Sequence, residues 1–176
     1  MTKRTLPSQE YLRQCFEYDS PTGVLRWRER PSAHFRSTQA WRGWNTKYAG
    51  KEFGCDNGEG YLVGGLCGVN WFAHCIIWKL VHGDEPPELD HRNRVRSDNR
   101  LHNLRAATSS QNKHNSGIRR HNVSGYKGVS RNWGKWAARI CVNRKTICLG
   151  SFDTPEQASA AYKSAAAKYH GDFANQ

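Results

Sequence analysis

The chain has 176 residues, 37% of them hydrophobic and 11% aromatic, and a formal charge of +12 from 27 basic and 15 acidic residues. That length suits one ordinary domain or two small ones, and the apolar content excludes a wholly disordered chain. No charged-then-apolar leader opens the sequence, and no apolar run approaches the roughly 20 residues of a membrane span. A soluble protein of the cytoplasm, with no membrane partner, is expected.

The charge is segregated. Residues 1–90 hold 11 Lys+Arg against 11 Asp+Glu, and the remaining 16 against 4 lie in residues 91–176. A basic half that also carries Tyr126, Trp133 and Trp136 suits a polyanion with stackable bases, so nucleic acid is the leading expected partner. The six cysteines form no C-x-x-C pair, which gives zinc knuckles and redox motifs no support and predicts reduced thiols.

Along the chain, a first helix is predicted near Ser8 to Tyr18, followed by short strands between turn signals at Ser20 to Gly23, Asp56 to Gly60 and Gly64-Gly65. The arginine-rich, tryptophan-rich stretch 26–44 admits two readings: a backbone grip through Arg26, Arg28, Arg36 and Arg42, or a scaffold strand with core tryptophans. From Phe72, the residues Phe72, Ile76, Ile77, Leu80 and Val81 recur at helical spacing until Gly83 and Pro86-Pro87 end the pattern. Residues 1–72 are read as an N-terminal scaffold, 73–115 as a module of its own and 116–124 as a basic linker carrying Arg119 and Arg120. Residues 125–176 form a second domain.

In that second domain the runs YKGVS, KWAARICV and KTICLGSF are separated by short turns. In the middle run Trp136, Ala138, Ile140 and Val142 alternate with Lys135 and Arg139, which gives a sheet with one apolar and one basic face. A helix follows, with Thr154 as N-cap, Pro155 at its first position, Gln157 completing a capping box and Gly171 beyond its end. Its apolar stripe is Ala158, Ala161, Tyr162, Ala165 and Tyr169. Trp136 and Phe152 read as core.

Asp90 and His91 follow an apolar residue and precede an Arg/Asn-rich turn; Asn103 lies 12 residues after His91, and Asn112 lies 22 after Asp90. Hydrolysis of a phosphodiester needs a deprotonated water in line with the leaving oxygen, and an imidazole titrating near 6.5 is a suitable base. The anionic transition state needs positive charge, which a hard cation on oxygen ligands can supply. Adjacent residues in a strand point to opposite sides, so Asp90 and His91 need not compete. His102 and His114 read as surface or phosphate-contacting residues, and His74 and His82 as structural ones.

The spellings LDH at 89–91, DNRLHNLR at 98–105 and ATSSQN at 107–112 resemble the HNH endonuclease family, in the variant whose final histidine is an asparagine. The resemblance implies an α+β fold, with a ββα-metal module, and one divalent cation, Mg²⁺ or Mn²⁺. It makes Asp90 and Asn112 the metal ligands, His91 the general base and Asn103 the residue that holds the loop positioning His91. A neutral asparagine ligand should make metal affinity less dependent on pH than a histidine would.

GYKGV, GKWAARI, LGSFDTPEQASAAY and HGDFAN, within residues 125–175, look like the Apetala-type, ethylene-response-factor DNA-binding domain. That likeness implies a three-stranded antiparallel sheet packed on one helix, its outer face in the major groove. Lys127, Ser130, Arg131, Trp133, Arg139, Cys141, Thr146 and Cys148 stand at or near the family's contact positions, and Lys135, Arg144 and Lys145 are placed to hold phosphates. Several of these are Ser, Thr or Cys where plant members carry Arg or Trp, so an altered base preference is expected.

Together the two likenesses imply a site-selective, homing-type DNA endonuclease that acts on double-stranded DNA and leaves a 5′-phosphate and a 3′-hydroxyl, in the cytoplasm of a bacterium or of a phage-infected host cell. With one site per chain, a nicking monomer with no small-molecule cofactor is expected. The alternative is a DNA-binding transcription regulator whose nuclease module is inactive.

Overall fold

The computed structural model describes residues 5–174, which form two compact units divided between Ala107 and Thr108. The fold is α+β in both.

The first unit opens on α1 (Gln9–Cys15), capped by the Ser8 hydroxyl, which accepts the Tyr11 N–H. The hairpin β1 (Phe16–Asp19) and β2 (Val24–Trp27) follows, with Phe16 opposite Trp27. Its turn needs Gly23: φ is 79°, and a Cβ there would stand 2.6 Å from the Arg100 backbone nitrogen. Neither reading of residues 26–44 anticipates the next element, α2 (Thr38–Tyr48), capped by Ser37. Trp41, Trp44 and Tyr48 give it a helical stripe. The helix is tied down by Arg30, a buried cation whose guanidinium lies 4.8–5.9 Å from the ring centroids of Tyr11, Trp27, Phe35 and Trp44. Asn45 and Trp41 of α2 bond the Arg30 backbone. Of the arginines considered as a grip, Arg26 pairs with Glu52, while Arg28, Arg36 and Arg42 are exposed.

A meander of β3 (Cys55–Asp56), β4 (Leu62–Leu66) and β5 (Val69–Phe72) leads into α3 (Ala73–His82), which Gly83 ends in the left-handed conformation at φ 83°. An antiparallel ribbon of β6 (Glu88–His91) and β7 (Leu104–Ala107) closes the unit. Leu12, Phe16, Leu25, Phe53, Leu66, Ile76, Ile77 and Leu104 belong to its core, so Leu104 anchors the ribbon on the scaffold.

The second unit begins with α4 (Ser109–Asn115), whose Thr108 and Gln111 form a capping box. Strands β8 (Val129–Asn132), β9 (Lys135–Val142) and β10 (Lys145–Phe152) make an antiparallel sheet with β9 in the middle. Both hairpin loops have two residues at positive φ, Trp133-Gly134 and Asn143-Arg144, the backbone that matches strand twist. Helix α5 (Pro155–His170) lays Ala158, Tyr162, Ala165 and Ala166 against Ile140, Val129 and Ala138. Its cap is the predicted Thr154–Gln157 box. The stripe differs at its end: Tyr169 is exposed and Ala166 is buried instead. Gly128, just before β8, lets the Tyr162 ring of α5 pack close to the backbone, since a Cβ there would lie 2.1 Å from that ring. Among the described residues no helix is long and apolar enough to cross a membrane.

Candidate active site and DNA-binding face

In the first unit the chemistry gathers on the β6–β7 ribbon and the loop between its strands. Asp90 and His91 end β6, and both are buried. Their side chains diverge, as neighbours in a strand must. Asp90 faces Arg105, its partner in the register, whose Nε and Nη2 lie 2.7 and 2.6 Å from Asp90 Oδ2. His91 turns to the other side, where Nε2 lies 3.2 Å from Asn99 Oδ1 and the ring meets His74 edge-on at a centroid distance of 5.0 Å.

The loop at 92–103 is a network of polar bonds. Asn103 Oδ1 accepts the Asn93 N–H at 2.9 Å, its Nδ2 donates to the Asp98 carbonyl at 2.7 Å, and its own carbonyl accepts the Arg92 N–H. Asp98 takes bonds from Asn93 and Arg100, and the Arg100 guanidinium holds its carboxyl far below the usual carboxylate range. The N-terminal scaffold braces this loop. The Tyr18 hydroxyl donates to the Asn99 carbonyl at 2.9 Å, Arg96 donates to the Glu59 carbonyl, and the Arg96 guanidinium lies over the Tyr61 ring.

Burial lowers the His91 pKa below its ordinary value, opposed by the Asn99 bond and by the Asp90 and Asp98 carboxylates. His74, on the first turn of α3 among Tyr61, Phe72 and His91, is pushed down to about 3 by burial and by His91. The sequence pattern does not single out Asn99, Arg105 or Asp98. His74 reads there as structural, and the fold sets it against the ring of His91. Of the remaining histidines, His102 is exposed and His82 packs on Trp78.

Asn112 lies on α4, in the second unit. Asp90 offers a carboxylate and Asn112 an amide carbonyl, and among the described residues no group of three or more His, Cys, Asp and Glu is placed to hold a metal. A carboxylate and an amide carbonyl fit a hard cation that keeps most of its water, and do not fit zinc.

The second unit presents Ser130, Lys135, Arg139, Cys141, Thr146 and Cys148 on the solvent face of its sheet, whereas Arg131, opposite Trp136 in the register, is exposed at the edge of the other face, the one that packs on α5. Arg144, Lys145, Arg119 and Arg120 are also exposed. Trp133 stands at the β8–β9 hairpin tip, 98% exposed and at φ 47°. Arg131 lies over the Trp136 ring and Lys135 pairs with Asp153. Lys127 is directed elsewhere: its ammonium bonds the carbonyls of His114 and Ser116 at 2.6 and 2.5 Å. The His114 ring stacks on His170, with centroids 3.6 Å apart and planes 16° apart. All six cysteines are free thiols.

Comparison with known proteins matches residues 72–114, from the end of β5 through α4, to the HNH endonuclease family. The chain is 47% identical over 55 residues to ethylene-responsive transcription factor ERF018 of Arabidopsis thaliana, covering 30% of this chain and 28% of that one. It is 30% identical over 154 residues to ethylene-responsive transcription factor WRI1 of the same plant, covering 83% of this chain and 34% of that one. It is also 47% identical over 53 residues to the plant's dehydration-responsive element-binding protein 2D, covering 28% and 26%. The chain thus spans about a third or less of the length of these relatives. One polypeptide here carries an HNH endonuclease segment at 72–114 and, in its C-terminal region, a homologue of the ethylene-response-factor DNA-binding domain.

Proposed function

We propose that the chain is a site-selective, metal-dependent DNA endonuclease of the homing type, which hydrolyses a phosphodiester to a 5′-phosphate and a 3′-hydroxyl. The observation that carries this reading is the setting of His91: a buried imidazole bonded to Asn99, at the end of a strand whose following loop is stapled by Asn103, inside the segment matched to the HNH family. When Asn99 Oδ1 accepts, Nε2 carries the ring proton and Nδ1 is the basic nitrogen. His91 then takes the proton of the attacking water. Its lowered pKa keeps the ring unprotonated at neutral pH.

Asp90 and Asn112 would hold the cation, Mg²⁺ or Mn²⁺, which when bound supplies positive charge for the phosphate and the departing 3′ oxygen. Arg105 fixes the Asp90 carboxylate in place. Site choice falls to the outer face of the β8–β10 sheet, where Trp133 reaches out from the hairpin tip and Arg139 stands on the face, with Arg144, Lys145 and the linker pair Arg119 and Arg120 meeting the DNA around it. A single site in a monomer cuts one strand per encounter, so nicking is the expected outcome.

The names of the plant relatives favour a second reading, a DNA-binding regulator without catalysis. Supercoiled plasmid incubated with Mg²⁺ or Mn²⁺, with and without chelator, separates the two. Metal-dependent relaxed circles that disappear in His91→Ala support the nuclease, by a loss of about 10²–10⁴-fold in rate. His91→Ala cutting at the normal rate sinks it, and intact plasmid with retained DNA binding establishes the regulator.

A further inference from the structure

Helix α4 has seven residues, well short of the roughly 12–15 at which an isolated helix is even marginally stable in water. Its pose has to come from outside. The N-terminus is closed by its own capping box, but the C-terminus is held by the rest of the second unit. Lys127, in the loop before β8, places its ammonium on the carbonyls of His114 and Ser116, the last-turn groups that a helix leaves without internal partners. His170, the last residue of α5, lays its ring flat on that of His114. Two residues of the DNA-reading domain, far apart in sequence, thus grip the short helix that carries Asn112.

We propose that Lys127 and His170 are positioning residues, which set the pose of α4 and so of the Asn112 amide as a metal ligand. The inference rests on the nuclease reading above for the role of Asn112. It gives Lys127 a task other than the phosphate or base contact implied by its place in the sheet family. It also links the two activities, because the loop that carries Lys127 runs directly into β8 and its outward-facing Ser130.

The test uses the full chain with Lys127→Met and His170→Ala, each bound to target DNA, and reads three quantities. Amide hydrogen exchange over residues 109–116 should speed up by about tenfold in each variant. Mn²⁺ affinity, followed by electron paramagnetic resonance titration, should fall by about tenfold, the usual effect of removing an outer support of a metal ligand. Single-turnover cleavage at saturating DNA should need correspondingly more Mn²⁺ and recover its maximum at high Mn²⁺, while DNA affinity of His170→Ala stays unchanged. Adding His170→Ala to an Asn112→Ala chain should cause no further loss of Mn²⁺ affinity. Unchanged exchange in α4 overturns the proposal, and so does faster exchange with an unchanged Mn²⁺ requirement. Loss of DNA affinity alone in Lys127→Met returns that residue to the phosphate contacts and overturns its part. A wild-type chain that neither cuts nor loses Mn²⁺ affinity on Asn112→Ala overturns the nuclease reading instead, and the exchange rates then decide the grip on their own.

Discussion

Asp90 and Arg105 are opposite one another in the β6–β7 ribbon, and the guanidinium puts both Nε and Nη2 on one carboxylate oxygen while the two side chains keep only 6–7% of their surface exposed. Removing one member of such a pair strands the other charge away from water. Arg105→Met should therefore destabilise the first unit by about 3–5 kcal/mol, read as a lowered urea midpoint. Combining it with Asp90→Leu should recover most of that loss. A single variant as stable as the parent would show that the pair contributes nothing net.

Acid should act through His74. Its folded pKa is pushed down to about 3 against an ordinary 6.5, so between those values the unfolded chain binds a proton that the folded chain refuses. The stabilisation is complete above about pH 6.5 and is lost as the pH falls towards 3, by at most on the order of 5 kcal/mol. Urea titrations from pH 7.5 to 4 should show this slope, and His74→Phe, which keeps a flat ring among Tyr61, Phe72 and His91, should flatten it. A slope unchanged in that variant would assign the acid sensitivity to other groups.

Gly128 tolerates no side chain. It sits at φ 70°, with the Tyr162 ring where a Cβ would go and the Arg139 carbonyl 2.7 Å from the same point. Gly128→Ala should cost about 3 kcal/mol or more, from overpacking and backbone strain together, and so lower the melting temperature of the second unit. Gly125, also at positive φ but in open space, should lose about 1–2 kcal/mol on the same change. Equal effects at the two positions would refute the packing argument.

Trp133 is held in a left-handed conformation that glycine adopts freely, and its ring packs on nothing around it. Trp133→Gly should leave the fold unharmed, or stabilise it by about 1 kcal/mol, while weakening binding to target DNA by about 1–2 kcal/mol. Thermal melts and a DNA titration on the same sample check both signs. Unchanged DNA affinity would remove the hairpin tip from the interface.

Legibility in the sequence followed the range of the interactions. The second unit was readable because its signals are local: alternation in β9, two-residue turns, a capping box and a proline at the start of α5. Helix α3 was readable from its apolar spacing and Gly83. Helix α2 was not, although Trp41, Trp44 and Tyr48 mark it, because arginines recur through the stretch without a helical pattern and the partner that holds it, Arg30, lies outside the helix. The same limit governs the site. The motif spacing draws attention to Asp90, His91 and Asn103, but Asn99, Arg105 and His74 reach them by strand register and tertiary packing, which no spacing encodes. Lys127 shows the converse: its place in a family pattern suggests DNA, and only the fold reveals the carbonyls beneath its ammonium.

The seam between the compact units, at Ala107 and Thr108, bears on how such a protein can be cut and rejoined. A chimera that replaces the chain beyond the basic stretch at 116–124, where apolar residues are scarce, would leave α4 on the retained N-terminal half and strip it of Lys127 and His170. The exchangeable cassette begins at Thr108. On the proposed nuclease reading, exchanging specificity would mean carrying Asn112 along with the β8–β10 sheet.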